Sequence, residues 1–497
     1  KNEKQLLPLS ERSKILLIGA FAEKPRFQGA GSSQVRPTQV DTLRQALTDY
    51  LGDIDYAQGY DPVASRSDQT LITEAVAMAK RADVAVIYAG LPSIYESEGF
   101  DREHLDLPDQ HNALITAVCA ANPNTVVVLA NGAPVTMPWI DQVPAVIEGY
   151  LGGQASGSGL ADALMGVQNP AGKLAETFPL NLKDVPCTPF FPGERRQMQY
   201  REGVYVGYRY YDTARRDVLF PFGHGLSYTD FAYVEANTSN ASLTADGSIT
   251  LSVTIKNTGK RAGAEVIQVY RHSRSSATHQ PEQQLCGFAK VFLQSLEVAT
   301  VTIELDAENF RTFDHGTNQW VLEAGAVQLR IGSSSRDIRL TQAVNVVSTH
   351  TFSDVAKTTG APEFLSPAHP QALDVSDALF RNMLNRPVPE GEDIRPFHRN
   401  SSLAEISTTW LGSKVYEKAI AGFLGGMGLQ NADPTTRKMF EEMANHMPLR
   451  AAVLFQQGKI SFDQIDTLLA LLNGQPLKAL KLLLKNRRHD AAEKRER

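Results

Sequence analysis

Four short, β-branched apolar runs within the first 185 residues constrain the fold more than any other feature of the chain. They are Ile15-Leu16-Leu17-Ile18, Val84-Ala85-Val86-Ile87-Tyr88, Thr125-Val126-Val127-Val128-Leu129 and Ala145-Val146-Ile147. Each is too short for a core helix and is flanked by turn residues, so each reads as a buried parallel strand. Between them apolar residues recur at helical spacing, as Ile72, Ala75, Val76 and Ala79 and again as Leu114, Ala117 and Val118. This alternation predicts an α/β layer sandwich with a mostly parallel sheet over residues 1–185. Ligands of such sheets collect outside the carboxyl ends of the strands. The segment just after Val84–Tyr88 is therefore where a functional loop is expected.

That segment is acid-rich. In Y-E-S-E-G-F-D-R-E-H-L-D-L-P (95–108), Glu96 and Glu98 stand two residues apart and Gly99 follows the second. Spacing alone leaves two readings open. One is a solvated loop in which Asp101 and Arg102 form a local ion pair of small energetic consequence. The other is a proton donor: coupled carboxylates, partly buried beside Tyr95 and Phe100, would have one pKa raised, and Gly99 would let the loop carry it. Two Gly-rich stretches, F-Q-G-A-G-S-S-Q-V (27–35) and G-G-Q-A-S-G-S-G (152–159), read as turns. The second lacks the lysine of a P-loop.

The rest of the chain changes texture. Residues 186–228 form an aromatic-rich connector, with Y-V-G-Y-R-Y-Y (205–211) suited to a packing interface. Residues 229–346 look all-β: Ile249, Leu251, Val253 and Ile255 alternate with polar residues, and about seven short strands suggest a β-sandwich. Residues 347–405 lack periodicity and read as a linker; residues 406–497 read as a helical C-terminal extension, with Met439–Met443 on an amphipathic face and Ser461 starting a helix. A chain of 497 residues accommodates several such domains. Its net charge of -6 offers no basic field for nucleic acid. The basic run 477–497 reads as a solvated helical tail. No apolar run reaches the ~18 residues of a membrane span. Cys119, Cys187 and Cys286 share no metal-ligand spacing.

Taken together, E-S-E-G-F-D-R followed by L-D-L-P, N-G-A-P-V-T-M-P-W (131–139), N-P-A-G-K-L-A-E-T-F-P (169–179) and F-P-F-G-H-G-L-S-Y-T-D-F (220–231) resemble glycoside hydrolase family 3, β-glucosidase type. N-T-G-K-R-A-G-A-E-V-I-Q-V-Y (257–270) is similar to that family's fibronectin type III-like domain. The resemblance covers residues 1–346 and implies a retaining exo-acting β-glycosidase acting on β-linked oligosaccharides or aryl glucosides, with no cofactor or metal. It implies Glu98 as general acid/base, Glu96 as second choice, and Asp101 and Arg102 as supports of the loop. The family's nucleophile is an aspartate on an N-terminal (β/α)₈ barrel, and no eight-fold βα pattern occurs in these residues. The expectation is thus the C-terminal portion of such an enzyme, inactive or nearly so alone, its barrel lying in cis or on a separate chain. The rival expectation is a non-catalytic carbohydrate-binding or structural module. The C-terminal helices offer an interface for a homo-oligomer. A cytoplasmic location is expected, although a chain opening at Lys1 leaves a removed signal peptide open.

Overall fold

The computed structural model describes residues 1–485 apart from 63–67, 274–275, 354–362, 366–374, 385 and 456–459. The four apolar runs become strands β1 (Ile15–Ile18), β3 (Val84–Gly90), β4 (Thr125–Ala130) and β5 (Ala145–Glu148). A short edge strand, β2 (Asp55–Ala57), completes a five-stranded sheet of order β2-β1-β3-β4-β5, parallel throughout. β3 and β4 are buried along their whole length, because helices cover both faces of the sheet. These helices are α1 (Leu43–Leu51), α2 (Gln69–Ala79), α3 (Asp109–Ala121) and α4 (Ser156–Met165). α2 buries Ile72, Ala75 and Ala79, and α3 buries Leu114 and Val118, the stripes that the helical spacing marks out. The Gly-rich stretch 152–159 leads into α4, and Gly157 lets that helix approach the backbone of Asp41 and Thr42 more closely than a side chain would permit.

Downstream, two sheets face each other across a second core. Phe231–Thr238, Ser248–Asn257 and Val298–Asp306 form an antiparallel three-stranded sheet. Gln284–Leu293, Gly263–Ser273, Gly325–Ser334, Asp337–Val346 and the short Ser242–Leu243 form a five-stranded one. Strict alternation in Ser248–Asn257 sends Ile249, Leu251, Val253 and Ile255 inward. Tyr205, Tyr210 and Tyr211, the last two on helix α5 (Tyr208–Thr213), are buried against Val375 and Phe380. Phe380 belongs to helix α6 (Asp377–Leu384), which lies inside the stretch that lacked periodicity.

The chain continues as helices α7 (Leu403–Ser407), α8 (Trp410–Gly426), α9 (Pro434–His446), α10 (Leu449–Phe455) and α11 (Phe462–Leu472). Ser461 caps α11 in a reciprocal capping box with Gln464. The guanidinium of Arg196 ties this helical unit to the body through Glu405 at 2.9 and 3.0 Å. Among the described residues no helix is long and apolar enough to cross a membrane.

The parallel sheet should dominate the stability of its domain. Ile87→Ala, at a fully buried position of β3, is expected to cost about 2–5 kcal/mol. Exposed Val35→Ala should stay within roughly 0.5 kcal/mol. Urea titration of the domain's own unfolding transition measures both.

Candidate active site

The strand order reverses at β1, whose neighbours are β2 on one side and β3 on the other. Connections leaving β1 and β3 therefore turn in opposite directions and leave a crevice at their carboxyl ends, where ligands of open α/β sheets bind. The acid-rich loop is the connection leaving β3, and it faces the stretch around residues 26–33 that leaves β1.

One buried cation joins the two. Arg26, whose side chain is 8% exposed, donates Nη1 to the carbonyl of Leu91. Its Nη2 donates to the carbonyl of Glu96 at 2.9 Å and approaches the Glu96 carboxylate at 3.5 Å. The same carboxylate accepts the Gly132 N–H at 2.8 Å, which brings in the loop after β4. Farther along, Arg102 Nη1 donates to Pro134 O at 2.9 Å, and Thr136 N–H donates to Leu105 O at 2.9 Å. The stretch 131–139 is thus the anchor for the outer half of the acid-rich loop.

The two glutamates occupy different environments. Glu96 is partly buried and committed to Arg26 and Gly132. Glu98 is exposed, and its carboxylate accepts the backbone N–H of Ser32 at 2.6 Å. That amide, with help from the Ser32 hydroxyl, holds the Glu98 carboxyl below its ordinary value. The expectation that burial would raise the pKa of a loop glutamate is therefore corrected for Glu98: in this conformation the backbone amide outweighs desolvation. The local Asp101–Arg102 ion pair of the solvated-loop reading is not formed either. Asp101 is exposed with no hydrogen bond or ion pair to another described residue, while Arg102 turns to Pro134.

The carboxyls raised around this loop are instead those of Glu148 and Glu176, outside the acid-rich stretch. Glu148, at the carboxyl end of β5, is pushed up to about 8 by burial; the N–H of Tyr150 at 2.9 Å and the Asn131 amide at 3.3 Å oppose the shift. Glu176 is pushed up to about 6, first by burial and then by the charge of Glu96, with Arg102 opposing. Glu148 was legible as the residue that ends a buried parallel strand, the position where such sheets present chemistry. Arg26 and Glu176 carried no spacing signal. Among the described residues no group of three or more His, Cys, Asp or Glu side chains is arranged to hold a metal ion.

Residues 1–228 match the glycosyl hydrolase family 3 C-terminal domain, and residues 265–335 match the fibronectin type III-like domain. The chain is 45% identical over 398 residues to thermostable beta-glucosidase B of Acetivibrio thermocellus, covering 78% of this chain and 52% of that protein. It is 41% identical over 354 residues to an exo-alpha-(1->6)-L-arabinopyranosidase of Bifidobacterium breve, covering 69% and 46%. Among solved structures it resembles the GH3 beta-glucosidase of Bifidobacterium adolescentis, with a TM-score of 0.67 at 36% identity, covering 84% of this chain and 55% of that one. The chain spans about half the length of the curated relatives it matches.

Two measurements test this site. Arg26→Ala should destabilise the domain by about 1.5–3 kcal/mol, the range for hydrogen bonds to a charged group. Arg26→Lys should recover only part of the loss, because an ammonium cannot span three acceptors as a planar fork does. Glu148 has a folded pKa raised above its unfolded value, so the folded state holds a proton that the unfolded state has released. The stability this proton confers is full below about 4.5 and is lost as pH rises through about 8. Glu148→Gln should flatten the pH dependence of the unfolding midpoint across that window.

Proposed function

Because the chain belongs to glycoside hydrolase family 3, β-glucosidase type, we propose that it is the C-terminal portion of a retaining exo-acting β-glycosidase in which Glu98 is the general acid/base. The observation that supports this reading best is the contrast between two glutamates two residues apart at one crevice. Glu96 is held by Arg26 and Gly132, whereas Glu98 is exposed and held by the amide and hydroxyl of Ser32. A group that must exchange a proton with a substrate has to be reachable, and Glu98 meets that requirement.

In the proposed reaction Glu98 donates its proton to the glycosidic oxygen as that oxygen leaves, while a carboxylate attacks the anomeric carbon and forms a glycosyl ester. The Glu98 carboxylate then takes a proton from water, which displaces the ester and releases the sugar. The nucleophile is an aspartate of a (β/α)₈ barrel outside these 497 residues, and that barrel supplies most of the pocket for the terminal sugar. Coverage of about half of each relative supports this assignment. The Ser32 N–H favours the carboxylate, which is the form needed in the second half-reaction. For the first half the carboxyl has to leave Ser32. Gly99, at φ +90° beside it, gives the loop a backbone state that other residues rarely adopt. Arg102 supports the loop through Pro134, whereas Asp101, the other expected support, makes no hydrogen bond or ion pair to another described residue and is assigned no reacting role.

In the barrel-containing protein, Glu98→Ala should reduce turnover of glycosides with poor leaving groups by about 10²–10⁴-fold, the usual contribution of a general acid/base. Azide should restore turnover of activated aryl glycosides, since a small anion can attack without base assistance. Normal activity in Glu98→Ala would remove Glu98 from this role and make Glu96 the candidate. Tight sugar binding by the 497-residue chain, with no hydrolysis by the barrel-containing protein, would instead favour a binding module.

A further inference from the structure

We propose that helix α9 of the C-terminal extension is a clamp on the loop that carries Glu98, with Thr435, Lys438 and Met439 acting as positioning residues. The kinetic part of this inference rests on the acid/base reading of Glu98; the clamp itself rests on geometry. Thr435, Met439 and Met443 are spaced i, i+4, i+8, so they form one stripe along α9. That stripe lies on the loop. Thr435 Oγ1 and Ser93 Oγ share a hydrogen bond at 2.9 Å, near the start of the loop. Lys438 Nζ stands 4.1 Å from the ring centroid of Phe100, two residues beyond Glu98. Met439 fills the space above the glycines on both sides of the Glu98–Ser32 contact. A Cβ at Gly99 would lie 2.9 Å from Met439 Cγ and 3.1 Å from its carbonyl oxygen, and a Cβ at Gly31 would lie 3.2 Å from Met439 Sδ.

The clamp has a rigid backing. On its other side α9 packs Ala444 and Phe440 against Ile420, Phe423 and Leu424 of α8. The helical unit is in turn fixed to the body by the Arg196–Glu405 pair. A loop with an exposed tip would otherwise open locally at little cost. Helix α9 touches it before Glu98, beside it and after it, which limits where the carboxyl can travel once it leaves Ser32. A flexible thioether suits this contact, since it can follow the loop without losing it.

The test uses the barrel-containing protein and two readouts. In Lys438→Ala/Met439→Ala, amide hydrogen exchange across 93–100 should accelerate by about tenfold or more while exchange across 248–257 stays unchanged. The same variant should lose about 10- to 100-fold in kcat on an unactivated disaccharide, the scale of a small misplacement of a reacting group. With a dinitrophenyl glycoside, whose leaving group needs no proton, the glycosylation step should be unchanged. Lys438→Arg/Met439→Leu should restore both readouts. Unchanged exchange across 93–100 would overturn the clamp. So would equal losses in the glycosylation step of both substrates, which would indicate general damage, or a gain in rate, which would make α9 an inhibitory cover. Glu98→Gln, assayed in parallel, separates the two ideas: if it leaves turnover intact, the acid/base reading fails while the exchange result still decides the clamp.

Discussion

The site depends on the side chain of Arg26. A parallel sheet with strand order β2-β1-β3-β4-β5 opens a crevice where the connections from β1 and β3 part, but the sheet alone does not fix the loops above it. Arg26 does so by spending its fork of donors on the carbonyls of Leu91 and Glu96 and placing its charge beside the Glu96 carboxylate. A buried guanidinium is costly unless its donors are matched. Here Nε donates to the Gln28 carbonyl of its own stretch, while the two Nη groups meet two backbone carbonyls and one acid of the loop after β3, so that loop is held at its base while its tip remains exposed.

The division between Glu96 and Glu98 follows from that arrangement. Glu96 closes a three-loop junction by accepting from Gly132 as well. The chain then turns and sets Glu98 two residues farther on, over the stretch that leaves β1, where the Ser32 amide receives it. Coupling between carboxylates does act in this crevice, but on other partners: the charge of Glu96 contributes to the upward shifts of Glu148 and Glu176. Burial thus favours the protonated forms of Glu148 and Glu176, whereas the Ser32 amide favours the ionised form of Glu98.

Much of the frame was legible in the sequence because period and composition are local signals. The runs Ile15–Ile18 and Thr125–Leu129 coincide with β1 and β4 within a residue, and Ser461, a residue type suited to a helix start, caps α11. The strand β2 was not legible: three residues at a sheet edge, D-Y-A, are exposed, half-buried and buried in turn, and leave no apolar run. The site was legible only in part. Acid-rich loops look alike whether solvated or functional, and the difference between Glu96 and Glu98 is made by Arg26, Ser32 and Gly132, which lie 70, 66 and 36 positions away from them. Helix α9 was readable as amphipathic, but its target, some 340 residues upstream, was not.

The most direct test is the structure of the barrel-containing protein trapped as a glycosyl-enzyme with a fluorinated sugar. In the proposed mechanism the Glu98 carboxyl has left the Ser32 amide and stands about 5–5.5 Å from the esterified aspartate, the separation a retaining pair requires. If Glu98 still lies on Ser32 and a different carboxyl, from Glu96, Glu148 or Glu176, occupies that position, the assignment of Glu98 as acid/base is wrong.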